Sequence, residues 1–218
     1  MSSPVVLVHG LTASTHWWLP MIEALEPDHD VHVVELRGLR YAEAAEQLAD
    51  QLDRDGLVGT TLVGHSMGGA VALLTAVARP DLVRRLVLIA PAGVFPSRTR
   101  RGFVLPLARS MGGAGGRLGL IVRDVARIGP VRLWRVASDL LTCEVESVLQ
   151  SVQVPTLVVW GGRDRLLPPT LGSTFTAHIP DSRLVVLPGA AHIPMLEAPD
   201  ELNAALRAFL EEGADERG

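Results

Sequence analysis

A chain of 218 residues with 48% hydrophobic content is long enough for one domain with a substantial core, which excludes disorder over most of its length. Its 20 basic residues are all arginine, against 24 acids and a net charge of −4, so lysine is excluded as Schiff base, nucleophile or proton carrier. The single Cys143 excludes an intramolecular disulfide and a cysteine-rich zinc site.

No apolar run approaches the roughly 18–20 residues that span a bilayer, so no membrane span is expected. Met1-Ser2-Ser3-Pro4 carries neither a basic region nor a cleavage site, and a cytoplasmic protein is expected. Val5-Val6-Leu7-Val8 is a short continuous apolar run, the pattern of a strand buried on both faces. The loop His9-Gly10-Leu11-Thr12-Ala13-Ser14 follows. Trp17, Trp18, Met21, Ile22 and Leu25 then recur at helical spacing, which favours helix-to-sheet packing for the two tryptophans over a place in a pocket. Val31 to Leu36 reads as a second strand, ending at the turn Arg37-Gly38. Tyr41 to Asp53 reads as an amphipathic helix with Leu48 and Leu52 inward.

Thr61-Leu62-Val63 is the next strand, and Ala70 to Ala78 forms a helix. Between them stands Gly64-His65-Ser66-Met67-Gly68-Gly69, a GxSxG turn in the strand–turn–helix setting the motif requires. A serine at the apex of such a turn is strained, with its hydroxyl above the end of the sheet. Gly64 and Gly68 are expected where strand and helix pass too close for a Cβ. The helix starts directly behind Ser66, so its free N–H groups point at any oxyanion formed there. The bland alternative is an ordinary glycine-rich turn.

Leu86 to Ile89 is another strand. Strands alternating with helices imply a parallel sheet. From about Phe95 to Val152 the rhythm breaks into short pieces at glycines and prolines, with helical candidates around 103–110, 118–128 and 131–141. This insertion falls at the carboxyl edge of the sheet and reads as a lid or, more plainly, as a structural helical hairpin. Arg98, Arg100, Arg101, Arg109, Arg117, Arg123, Arg127, Arg132 and Arg135 lie there with a single acid among them, Asp124. Such a basic surface would attract an acidic substrate or carrier, or the arginines are simply solvated faces whose stems cover apolar surface. The sheet resumes at Val154 to Trp160 and ends with Leu184 to Leu187. A last amphipathic helix covers about Asp200 to Leu210.

A serine hydroxyl needs an adjacent base, and the base needs a partner that fixes its tautomer. Asp164 and His192 each follow the carboxyl end of a strand and so share one rim with Ser66. Taken singly, Asp164 could equally cap a turn or pair with Arg163 or Arg165, and His192 could be a surface loop histidine. His65 is set aside as base because neighbouring side chains diverge at a tight turn. His9 is placed in the oxyanion loop. His16, His29, His32 and His178 are set aside for want of an acid in a matching loop.

Four segments together resemble the α/β-hydrolase fold superfamily, in its branch of small serine-nucleophile hydrolases with a helical lid: Val8-His9-Gly10, Gly64 to Gly69, Gly161 to Pro168, and Ala191 to Pro199. The resemblance implies a mostly parallel sheet of about six strands flanked by helices, with the family's usual first two strands lacking and a short helical lid inserted before the last two strands. Residues 1–94 and 153–218 would form the core and 95–152 the lid. By the same resemblance Ser66 is the nucleophile, His192 the base and Asp164 its orienter. The backbone N–H groups of Leu11 and Met67 would form the oxyanion hole. The chain departs from the family where Leu39-Arg40 follows Arg37-Gly38. The implied activity is hydrolysis of an ester, thioester or lactone through an acyl-enzyme, with no cofactor and no metal. The implied partner is a small acyl substrate, anionic or carrier-bound, with no nucleic acid; oligomeric state and substrate-binding residues stay open. Carbon–carbon bond hydrolysis, biosynthetic acyl transfer, cyclisation or elimination, and a non-catalytic binding protein are the alternatives on this fold.

Overall fold

Short apolar runs alternating with helices build the sheet that the sequence implies. The computed structural model describes residues 3–10, 15–36, 40–94 and 145–212. The arginine-rich stretch, the helical candidates inside it, Cys143, Leu11 and the Arg37-Gly38-Leu39 turn lie outside these residues. Six strands, β1 (Val5–Val8), β2 (Val31–Val34), β3 (Thr60–His65), β4 (Val83–Ile89), β5 (Thr156–Gly161) and β6 (Ser182–Leu187), pair in the order β2-β1-β3-β4-β5-β6. Every pairing is parallel. The helices are α1 (Leu19–Leu25), α2 (Tyr41–Arg54), α3 (Met67–Ala78), α4 (Thr170–His178), the single turn α5 (Pro194–Glu197) and α6 (Pro199–Glu211), with 3-10 turns at Thr15–Trp17 and Val145–Ser151. None of the described helices is long and apolar enough to cross a membrane.

The period-2 alternation of the strands divides the core in two. Val6, Val8, Leu62, Leu86, Leu88, Val158 and Trp160 face the layer of α2, α3 and α4. Val5, Leu7, Val63, Val87, Ile89, Leu157 and Val159 face α1 and α6. Both tryptophans pack in this second layer as expected, with Trp18 fully buried. Leu202, Leu206 and Phe209 anchor α6, and burying such side chains is worth about 1.5–3 kcal/mol each. Val145 and Leu149 are buried against the first layer.

Several elements differ from the sequence reading. β2 stops at Val34. β4 starts at Val83, so Arg84 and Arg85 lie in the strand, and the Arg85 guanidinium donates to the Glu212 carbonyl. Helix α4, absent from the sequence reading, supplies the crossover from β5 to β6 that a parallel pair needs.

The chain runs from β1 outward to β2 and then returns to the other side of β1 as β3. That reversal opens a crevice at the carboxyl ends of β1 and β3, where an open parallel sheet places its site. His9-Gly10 and Ser66 sit there.

Candidate active site

Ser66 holds φ 53° and ψ −117°, a positive φ that a non-glycine residue adopts only under strain. Four hydrogen bonds oppose that strain. The Ser66 N–H donates to the Ile89 carbonyl at 3.0 Å, and its carbonyl accepts from Gly69 (3.0 Å), Ala70 (3.2 Å) and Ala92 (3.0 Å). A Cβ on Gly64 would lie 2.4 Å from the Gly68 carbonyl oxygen, so that glycine lets α3 approach its own strand. A Cβ on Gly68 would lie 2.2 Å from the Val8 carbonyl oxygen, so its neighbour is the end of β1 and not β3, which refines the expectation. Met67 is the first residue of α3, where a backbone N–H has no partner inside the helix. Gly10 follows β1, and a Cβ there would lie 3.3 Å from the Ser66 Cβ, so Gly10 packs beside Ser66.

The fold brings Ser66, Asp164 and His192 together. His192 Nδ1 lies 2.7 Å from Asp164 Oδ2, and His192 Nε2 lies 3.2 Å from Ser66 Oγ. The Asp164 side chain is wholly buried and that of His192 is 13% exposed. The two readings of Asp164 turn out to be compatible. Its Oδ1 accepts from the N–H groups of Leu166 (2.8 Å) and Leu167 (2.9 Å), which closes the turn, while Oδ2 is left for His192. The Trp160 indole N–H donates to the Leu167 carbonyl at 2.9 Å and ties that turn to β5. A carboxylate only accepts, so Nδ1 carries the proton and Nε2 is free to accept from the serine hydroxyl.

Three other histidines have partners of their own. His9 Nδ1 meets the Gly10 carbonyl at 2.7 Å, within the loop after β1. His32 has an acid beside it, Asp30 Oδ2 at 2.9 Å, though not in a loop on the rim of Ser66. That pair sits at the start of β2, on the rim opposite Ser66. His178 Nδ1 meets the Thr174 carbonyl one helical turn back.

Two residues near His192 were given no role from sequence. The buried His65 donates from Nε2 to the His192 carbonyl at 2.8 Å, its ring centroid 5.0 Å from that of His192. Burial pushes its pKa down to about 3, helped by the nearby His192 ring and opposed by the hydrogen bond to the His192 backbone. Glu197 Oε2 accepts from the N–H groups of Ala191 (2.7 Å) and Ile193 (3.1 Å), on either side of His192. The available signal was an acid five residues beyond the histidine, at the end of α5. A cavity of about 610 Å³, lined by Val33, Glu35, Gln47, Gln51 and Arg54 among others, lies between β2 and α2 and includes none of these residues.

The alpha/beta hydrolase family model matches residues 5–205. A pimeloyl-acyl-carrier protein methyl ester esterase from Neisseria meningitidis serogroup C is 30% identical over 242 residues, 95% of this chain and 93% of that protein. The structure of a hydrolase from Oleispira antarctica superposes with a TM-score of 0.85 at 19% identity, covering 98% of this chain and 92% of the other. The enol-lactonase from Burkholderia xenovorans LB400 superposes with a TM-score of 0.80, also at 19% identity, covering 97% and 92%. The two structures share the fold. The chain belongs to the alpha/beta hydrolase family, and its relatives group it with hydrolases of the esterase type.

Proposed function

We propose that this alpha/beta hydrolase cleaves a carboxylic ester through an acyl-enzyme on Ser66. The observation that carries the reading is the continuous line from Ser66 Oγ to His192 Nε2 and from His192 Nδ1 to Asp164 Oδ2. Ser66 Oγ attacks the ester carbonyl carbon while His192 Nε2 takes the hydroxyl proton. Asp164 stays ionised and stabilises the imidazolium. The N–H groups of Met67 and Leu11 receive the oxyanion. The tetrahedral intermediate expels the alcohol, which takes the proton from His192. Water then repeats the sequence on the acyl-enzyme and releases the acid. The contact of 3.2 Å suits a resting site that tightens when substrate binds.

For the substrate we propose the methyl ester of an acyl chain borne on an acidic carrier protein. The Neisseria relative's activity supports this, as does the cluster of arginines between Arg98 and Arg135 with Asp124 as its one acid. Residues 95–152 would then act as a helical lid inserted into the core of 1–94 and 153–218, its arginines attracting the carrier.

Two measurements test the proposal. Ser66→Ala should lower p-nitrophenyl ester turnover by about 10⁴-fold or more with the fold intact; a folded variant near wild-type activity would remove Ser66 as nucleophile. Replacing Arg98, Arg100 and Arg101 together by glutamine should lower kcat/KM for a carrier-bound methyl ester and flatten its salt dependence. The free methyl ester should be unaffected. If both substrates respond alike, carrier steering is lost and ester hydrolysis alone survives.

A further inference from the structure

We propose that Glu197 and His65 are positioning residues that clamp the backbone of the loop carrying His192. The inference rests on the roles given above to Ser66 and His192.

The segment between β6 and α5 has no helix or strand to hold it. Several of its polar backbone groups are answered by named partners. The Ala190 carbonyl accepts from Arg163 N–H at 2.8 Å, behind the base. At the base itself, one oxygen of Glu197 takes the two N–H groups that flank His192, and the ring of His65 takes the His192 carbonyl. The side-chain bond to Asp164 fixes one ring nitrogen only. It leaves the ring free to swing about the Nδ1–Oδ2 line unless the backbone is held, and errors of about 1 Å at such a site cost on the order of 100-fold in rate. Glu197 supplies charge-assisted bonds, stronger than neutral ones. His65 supplies something Glu197 cannot. It is covalently adjacent to Ser66, so its hydrogen bond ties the base directly to the nucleophile's own turn.

The chemistry of His65 suits this use. A carbonyl only accepts, so the proton that meets it sits on Nε2. Full burial keeps the ring neutral. A charged ring 5.0 Å from His192 would oppose the imidazolium that His192 must form, and a neutral donor does not.

The test compares variants that keep or remove the hydrogen-bonding atom. Glu197→Gln keeps an acceptor oxygen at the same reach, Glu197→Asp keeps the charge but shortens the reach, and Glu197→Met removes the acceptor. His65→Gln keeps a donor and His65→Leu removes it. Turnover of p-nitrophenyl acetate is expressed per site labelled to completion by a fluorophosphonate, and Tm is measured alongside. Glu197→Met and His65→Leu are expected to lower kcat per labelled site by about 10–100-fold, with KM within about twofold. Glu197→Asp should also fall, while Glu197→Gln and His65→Gln stay within about threefold of wild type. A lower Tm with unchanged kcat per labelled site would overturn the positioning role. So would Glu197→Gln falling as far as Glu197→Met. If Glu197→Met does not fold, the Asp-against-Gln contrast decides for Glu197; if His65→Leu does not fold, His65→Asn, which keeps a donor but shortens its reach, decides for His65 by falling below His65→Gln, and equal values for the two overturn its role. Wild-type protein that neither turns over nor labels at Ser66 would instead sink the reading of the site itself.

Discussion

Ser66 is held by its own backbone. Glycines at 64 and 68 let three chain segments converge within contact distance, and the bonds from Gly69, Ala70 and Ala92 to its carbonyl keep the strained φ of 53°. His192 is held by side chains: Asp164 on the ring and His65 on the carbonyl, both distant in sequence, and nearby Glu197 on the flanking N–H groups. The difference teaches where each half is vulnerable. A backbone device fails through sterics, and its failure takes the fold with it. A side-chain device fails through chemistry, and function can be lost from an intact fold.

The largest loss of function from an intact fold is expected at Asp164. Asp164→Asn keeps an oxygen for the Leu166 and Leu167 N–H groups, so Tm should move little. It presents an amide NH₂ to His192, which forces Nδ1 to accept and Nε2 to carry the proton. The ring can then no longer take a proton from Ser66, and kcat should fall by about 10³–10⁴-fold. Asp164→Ala should lose activity too and, by leaving two backbone donors without their acceptor, about 1–3 kcal/mol of stability as well. Urea melts beside steady-state kinetics separate the two. Near-normal turnover in the folded asparagine variant would show that His192 needs no carboxylate.

At the elbow the expected failure is of the opposite kind. Gly68→Ala places a methyl 2.2 Å from the Val8 carbonyl oxygen, where only backbone can give way. We expect a loss of about 3 kcal/mol or more, read as a fall in Tm of roughly 6–12 °C. A folded alanine variant of wild-type stability would mean that β1 and α3 are less tightly joined than the structure has them.

The same contrast explains what sequence could reveal. The elbow was legible because its geometry is written in adjacent residues: glycine, serine, glycine, between an apolar strand and an apolar helix. Asp164 and His192 were legible from their place after β5 and β6. The clamp was not, because nothing local relates position 65 to position 192, or tells a carboxylate that caps a loop from one on a solvated helix. Helix α4 was missed for another reason. Thr170-Leu171-Gly172-Ser173-Thr174-Phe175-Thr176 is rich in β-branched residues and contains a glycine, a poor helix former. Tertiary packing overrides that propensity. A Cβ on Gly172 would lie 2.7 Å from Leu184 Cδ1, and Phe175 packs on Trp160 with ring centroids 5.9 Å apart. Arg84 and Arg85 disguised the start of β4 because the partner of Arg85 is the backbone of Glu212, more than a hundred residues away.

The smallest expected effect concerns His65, the residue that belongs to both devices, and it is read in stability. In the folded chain burial holds its pKa at about 3, well below the ordinary value of 6.5. The native ring is therefore neutral throughout the window from 6.5 down to 3, while the unfolded chain takes up a proton as pH falls through 6.5. Protons then favour the unfolded state. The stability owed to a neutral His65 is fully present above about 6.5 and is lost on acidification toward 3, with a slope approaching about 1.4 kcal/mol per pH unit. Between pH 7 and pH 5 the loss from this one group should be roughly 2 kcal/mol. Other groups titrate over the same range, so the measurement is a difference: urea melts of wild type and of His65→Gln at both pH values, with the carboxylates common to each. The glutamine variant has no ring to protonate in either state and should fall less on acidification by that amount. Parallel losses in the two proteins would mean that the His65 ring is hydrated, or charged, in the native state. The bond to the His192 carbonyl would then be an imidazolium contact, and the side-chain half of the site would carry a positive charge beside its own base.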